Sequence, residues 1–159
     1  PERQPEADTP LGAALTEITA LDNRFKPMEF SNGARSAFEM VITAYALGDT
    51  NTLSTLLSEA VLANFENAIN QRERAGETQE TTLIGIDNAE IIEASLAHTV
   101  AQITIKFVSQ QTSVTRNEAG DVMEGGPDVV NQVTDIWTFS RDLRSKDPNW
   151  KLVETRSAN

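Results

Sequence analysis

The chain has 159 residues, no cysteine, one histidine and a formal net charge of −11. That length suits one domain able to bury most of its apolar surface. The missing thiols exclude a disulfide framework, a cysteine nucleophile and thiolate zinc, and the acidic balance argues against nucleic acid, which is held by clustered Lys and Arg.

Residues 1–9 carry two prolines, alternating charges and no large apolar side chain, and are expected to form a disordered tail. They contain neither an initiator methionine nor a hydrophobic signal core, so the chain reads as cut downstream of something. No run reaches the ~18 to 20 apolar residues that span a bilayer. Thr9 then offers an N-cap before Pro10, and Leu11, Leu15, Ile18, Leu21 and Phe25 recur at helical spacing up to Pro27, which is expected to stop the helix. Two readings stand for residues 10–27. The stripe packs on the domain's own core, or it is a detachable docking helix for a partner, a second protomer or a membrane, with residues 28–159 as the domain proper.

Ser31 or Asn32 is expected to cap the next helix, whose face carries Phe30, Ala34, Ala37, Phe38, Val41 and Tyr45. Gly48 and Asp49 separate it from a short helix with Leu53, Leu56 and Leu57. Ser58 caps a third helix with Val61, Phe65, Ala68 and Ile69 inward, and Arg72 and Arg74 suit its C-terminal end. From Thr81 the period changes to two. Residues 81–86 and 89–96 are strand-like, residues 97–98 make a tight connection, and Ala101, Ile103, Ile105 and Phe107 alternate with polar residues. That strand extends towards Arg116, with turns at 117–121 and 125–127. Residues 129–141 and 150–156 flank Asp147-Pro148-Asn149 and form an antiparallel hairpin, with Val133, Asp135, Trp137, Phe139 and Arg141 on one face. Helices followed by an antiparallel meander give an α+β domain, its N-terminal helices packed on one face of a curved sheet. The arrangement matches the cone of nuclear-transport-factor-like, or cystatin-like, domains.

Little in the chain suggests catalysis. His98 falls in a hairpin turn, and zinc sites need three or four spaced ligands. Residues 121–128 lack the ligand spacing of a calcium loop, and the Gly125-Gly126 pair is followed by proline and not by a phosphate-binding Lys-Ser/Thr. Asp135 is the exception. In phase with Trp137 and Phe139, it would be desolvated if it faced a cavity, and with Tyr45 it is the one acid–base pair an isomerase- or lyase-like enzyme would use. The alternative is that Asp135 pairs with Arg141, Arg116 or a backbone amide, or that the strand is turned the other way. Arg141, Arg144 and Lys146 gather around the hairpin connection as a basic contact patch on an acidic body, or simply neutralise Asp142 and Asp147.

The run Thr134-Asp-Ile-Trp-Thr-Phe-Ser-Arg-Asp142, followed by Asp147-Pro-Asn-Trp-Lys-Leu152, resembles the closing hairpin of the Tim44-like domain family. The likeness continues through 34–38, Gly48-Asp49, 53–58 and 72–76, and so covers roughly residues 30–156. That family comprises the C-terminal domain of the mitochondrial inner-membrane import-motor adaptor and bacterial relatives called TimA. The resemblance implies the cone fold, with a cavity whose candidate lining residues are Phe38, Val41, Ile42, Tyr45, Leu57 and Phe65 from the helices and Ile105, Phe107, Trp137 and Phe139 from the sheet, most of them simply core. It implies a non-enzymatic adaptor without cofactor at the cytoplasmic face of a bacterial inner membrane, engaging membrane proteins or the lipid surface. The alternative on the same fold is a carrier of a small apolar or acyl ligand. The −11 charge departs from a plain lipid-binding picture, because basic residues supply the attraction to anionic lipid.

Overall fold

The computed structural model describes residues 8–158; most of the expected tail, residues 1–7, lies outside them. Four helices come first: α1 (Pro10–Leu21), α2 (Pro27–Leu47), α3 (Thr50–Leu56) and α4 (Glu59–Arg74). Five strands follow: β1 (Thr78–Ala97), β2 (Val100–Arg116), β3 (Val122–Gly125), β4 (Asn131–Asp142) and β5 (Lys151–Ser157). The sheet is open and antiparallel in the order β1-β2-β4-β5, with β3 pairing β2 beyond the end of β4. The helices cover one face.

Local chemistry explains most boundaries. The Thr9 hydroxyl accepts from Gly12 N at 2.9 Å, and Asp49 and Ser58 cap α3 and α4 in the same way. Pro27 corrects one expectation. It does not stop α1, which ends at Leu21, but occupies the first position of α2, where its missing N–H costs nothing. Lys26, not Ser31 or Asn32, is therefore the α2 N-cap, and Phe25 belongs to the α1–α2 loop. Gly48 ends α2 at φ 72°, a left-handed conformation that a residue without Cβ adopts freely.

The sheet is longer than alternation suggests. The two runs expected at 81–86 and 89–96 are one 20-residue strand, broken in register by three bulges between Leu83 and Glu93. Each bulge disturbs the period of two, which is why the sequence reads as two strands. The short β3 carries no apolar alternation and was not expected. The β4–β5 hairpin forms as anticipated. Trp137 pairs with Ile105 and Phe139 with Ile103, so the face bearing Asp135, Trp137, Phe139 and Arg141 is turned towards the helices.

The core lies between that face and the helices. Phe38, Leu53, Ile103, Ile105, Phe107 and Leu152 are fully buried. The α1 stripe belongs to this core: Ile18 is 0%, Leu15 5% and Phe25 8% exposed, and the helix packs on β1. The detachable docking helix is thereby corrected. Of Leu11, Leu15, Ile18, Leu21 and Phe25, only Leu21 is exposed, so the stripe is not offered to a membrane or a second protomer. Burying an aliphatic or aromatic side chain stabilises by about 1.5–3 kcal/mol, and three of them set the cost of removing this element.

Two outcomes follow. A chain starting at Met28 should aggregate or lose its cooperative thermal transition, whereas a folded, soluble product would restore the docking reading. Trp137→Ala should cost about 3–5 kcal/mol in urea unfolding, as large aromatic truncations in cores do. A change below about 1 kcal/mol would mean that Trp137 is not packed as described.

Candidate functional site

The interior comes first, because a ligand cavity was expected there. Phe38 from α2 stacks on Phe107 with ring centroids 4.4 Å apart and lies 4.7 Å from Trp137, which in turn meets Phe107 edge-on at 5.5 Å. Val41 and Ile105 are buried beside them. These five side chains fill the space and do not line a cavity. Phe139 reaches the surface of a groove on one side, and Tyr45 and Phe65 pair at 5.2 Å under the other end of α2. The expected cavity residues are thus brought together as packing, which aromatic rings favour at these separations.

Tyr45 is also fixed from outside. Arg72 lies over its ring at 5.1 Å and donates to the carbonyls of Tyr45 and Ala46 at 2.9 and 3.2 Å, tying α4 to the C-terminal end of α2. Asp135 is half-buried on the helix-facing side of β4, opposite Phe107, and burial raises its pKa above the ordinary 3.8. Tyr45 pairs with Phe65 and Arg72, so the two residues of the expected acid–base pair have different surroundings. His98 is exposed at the β1–β2 turn with φ 56°.

The receptive feature is a groove of about 1030 Å³ between the first half of α2, the α1–α2 loop, Leu56 and the β4–β5 connection. Its floor is aromatic. Phe30 meets Trp150 at 4.9 Å and Phe139 at 5.9 Å, and Phe25 lies 6.2 Å from Phe30 and 6.1 Å from Trp150. Its helical wall is Gly33, Ser36, Ala37 and Met40, the spacing of one α2 face. Met40 is 46% exposed, and a methyl group on Gly33 would meet no heavy atom within 4 Å.

Charge is arranged around that floor. Arg24 and Lys26 stand on the α1–α2 loop, and Arg144 and Lys146 on the hairpin connection, all four exposed. Arg141 does not belong with them. Its guanidinium bonds Asp22 at 3.0 Å and the Asp147 carbonyl at 3.1 Å, with the Arg141 and Asp22 side chains 13% and 19% exposed. The expected patch of Arg141, Arg144 and Lys146 therefore divides into a structural tie at Arg141 and two exposed cations, of which Arg144 stands beside Asp142. The Arg144 backbone N–H, a Thr99 hydrogen bond and the charges of Arg144 and Arg141 hold the Asp142 carboxyl below its ordinary range. Sequence reading missed Arg24, Lys26, Phe30, Gly33, Met40 and Trp150 as one site. Their only signal was the second α2 face beside the core face, and nothing local linked it to the hairpin.

A family model described as the Tim44-like domain matches residues 11–157. The chain belongs to the Tim44-like family. Among its Tim44-like relatives, the human "mitochondrial import inner membrane translocase subunit TIM44" is 25% identical over 154 residues, covering 95% of this chain and 34% of the relative. An uncharacterized protein of Rickettsia prowazekii is 28% identical over 148 residues, covering 89% of the chain and 59% of that protein. The chain thus spans about a third of the length of the human relative. The intermembrane-space region of the chloroplast protein ARC6 superposes with a TM-score of 0.58 at 15% identity, over 80% of this chain and 95% of that one, which shows the fold alone. The match beginning at residue 11 includes α1 in the Tim44-like domain, in agreement with its burial.

Asp135 gives a signed pH test. A raised folded-state pKa means that the native protein holds this proton more tightly than the unfolded chain. The group's contribution then falls as pH rises from the unfolded value through the folded one, and remains unfavourable at neutral pH. Asp135→Asn should raise the urea midpoint at pH 7 more than at pH 4. A lower midpoint at pH 7 would reveal a stabilising partner for the carboxylate. For the tie, Arg141→Ala should cost about 1–3 kcal/mol by leaving Asp22 largely buried and unpaired; an unchanged midpoint would show the pair to be worth no more than an exposed one.

Proposed function

We propose that this Tim44-like domain is a non-enzymatic adaptor at a bacterial inner membrane, holding a membrane-protein partner in the groove between α2 and the β4–β5 connection. The observation that carries the reading is a packed interior beside a large open groove. Enzymes and small-molecule carriers enclose their ligand in a concave pocket, commonly about 300–1,000 Å³, that buries most of it. Here the expected pocket is occupied by Phe38, Phe107 and Trp137. An open groove with an aromatic floor and charged banks suits a protein segment. Supporting it, several relatives are named as inner-membrane translocase subunits. No helix among the described residues is long and apolar enough to cross a membrane.

Site-specific photocrosslinking in intact membranes tests this. A photoreactive residue in place of Met40 should form adducts with a membrane protein, whereas one in place of Gln102 on the opposite sheet face should not. Adducts only with lipid from Met40, or equal yields from both positions, would overturn the adaptor reading.

A further inference from the structure

The adaptor reading leaves the chemistry of the partner open; resting on it, the groove's charge and shape narrow that chemistry. Of the ionisable groups on the groove, Arg141 and Asp22 cancel each other. Arg24, Lys26, Arg144 and Lys146 remain against Glu29 on the groove and Asp142 beside Arg144, an excess of two positive charges. This local excess of positive charge lies on a chain with 24 acids and 13 bases. Random placement on so acidic a protein would make the groove acidic, so its sign is opposite to that of its surroundings. The two pairs of cations stand on separate elements, the α1–α2 loop and the β4–β5 connection, which Asp22 and Arg141 tie together.

We infer that the groove takes an acidic amphipathic segment of a partner protein, its apolar side chains on Phe25, Phe30 and Trp150 and its carboxylates on the two basic banks. Charge complementarity selects the sign, because Asp and Glu meet Arg24 and Lys26 on one loop and Arg144 and Lys146 on the other. It also selects a peptide over a bilayer. An anionic membrane surface would face the whole −11 body, whereas the charges of a single segment interact mainly within about 8 Å at physiological salt. The α2 wall favours a helix. Gly33, Ser36 and Ala37 present little side chain, so a second helix can lie close against α2 with its apolar residues at i, i+3, i+4 and i+7. Gly33 is otherwise unexplained. It has no positive φ and no atom near its missing Cβ, and glycine inside a helix is destabilising relative to alanine.

The test selects ligands from a phage-displayed library of random 16-residue peptides and measures the winners by fluorescence polarisation. Selected peptides should carry Asp or Glu beside aromatic or aliphatic residues at helical spacing. Their affinity should fall at least ten-fold in the Arg144→Glu, Lys146→Glu double variant and fall further below wild type at low salt than at high salt. Gly33→Leu, which adds a side chain where a Cβ meets no atom within 4 Å, should also cost at least ten-fold. Gln102→Glu on the opposite sheet face should change it less than two-fold, and melting temperatures confirm that the variants are folded. Selected peptides that lack acids, or that bind the Gly33→Leu protein equally well, would overturn the inference. So would a library that yields nothing while phosphatidylglycerol vesicles bind in a manner sensitive to Gly33→Leu, which would make the groove a lipid site. Membrane-protein crosslinks at Met40 without acid-dependent peptide binding would leave the adaptor reading standing and remove only this account of its partner. Acid-dependent binding without such crosslinks would do the reverse.

Discussion

Phe38 is the side chain on which the two layers depend. It projects from the middle of α2, is 0% exposed, and wedges between Phe107 of β2 and Trp137 of β4. From that wedge the aromatic contacts continue without interruption. Trp137 meets Phe139, Phe139 meets Phe30, and Phe30 meets Trp150, which reaches Phe25 in the α1–α2 loop. One chain of rings therefore joins the deepest part of the core to the floor of the surface groove. Rings at these separations combine large buried area with favourable edge-to-face geometry, so the floor is held by the same packing that holds the fold. The groove's base is continuous with the core.

This arrangement separates stability from recognition. The cone interior, which in a ligand-binding domain would stay open, is filled here, and the site is displaced to the rim where α2 meets the β4–β5 connection. Arg141 and Asp22 close the rim by tying the end of α1 to the hairpin at 3.0 Å. Together they set the distance between the two loops that carry the basic residues. Most of a salt bridge's worth at such a half-buried place lies in the penalty for breaking it. The tie therefore fixes the width of the groove more than it adds stability.

Much of the fold was legible because its signals are local. Thr9-Pro10, Gly48-Asp49 and Ser58 mark helix ends through hydrogen bonds that their own side chains or backbones make. The alternation around Trp137 and Phe107 assigned the correct sheet face. Three things were not legible, each for a physical reason. The bulges in β1 shift the period, so one strand reads as two. Pro27 is equally at home after a helix and at the start of one, and only the tertiary course of residues 22–26 decides. Whether a cone is hollow depends on how rings from α2, β2 and β4 interdigitate, and side-chain lists do not carry that. The site suffers most. Arg24 and Arg144 are 120 positions apart, and nothing in either neighbourhood announces the other. The α1 stripe was correctly found and had two destinations, and burial of Leu15 and Ile18 settles which.

The central claim is that the interior is closed and the groove is the receptive surface. Intermolecular NOEs between the methyl-labelled protein and a small apolar probe such as benzyl alcohol, at millimolar concentration in water, test it most directly. The account predicts cross-peaks to Met40, Leu56 and the Trp150 indole, and none to Val41, Ile103 or Ile105. Cross-peaks to the latter three, without loss of the folded spectrum, would show an accessible cone cavity and contradict it.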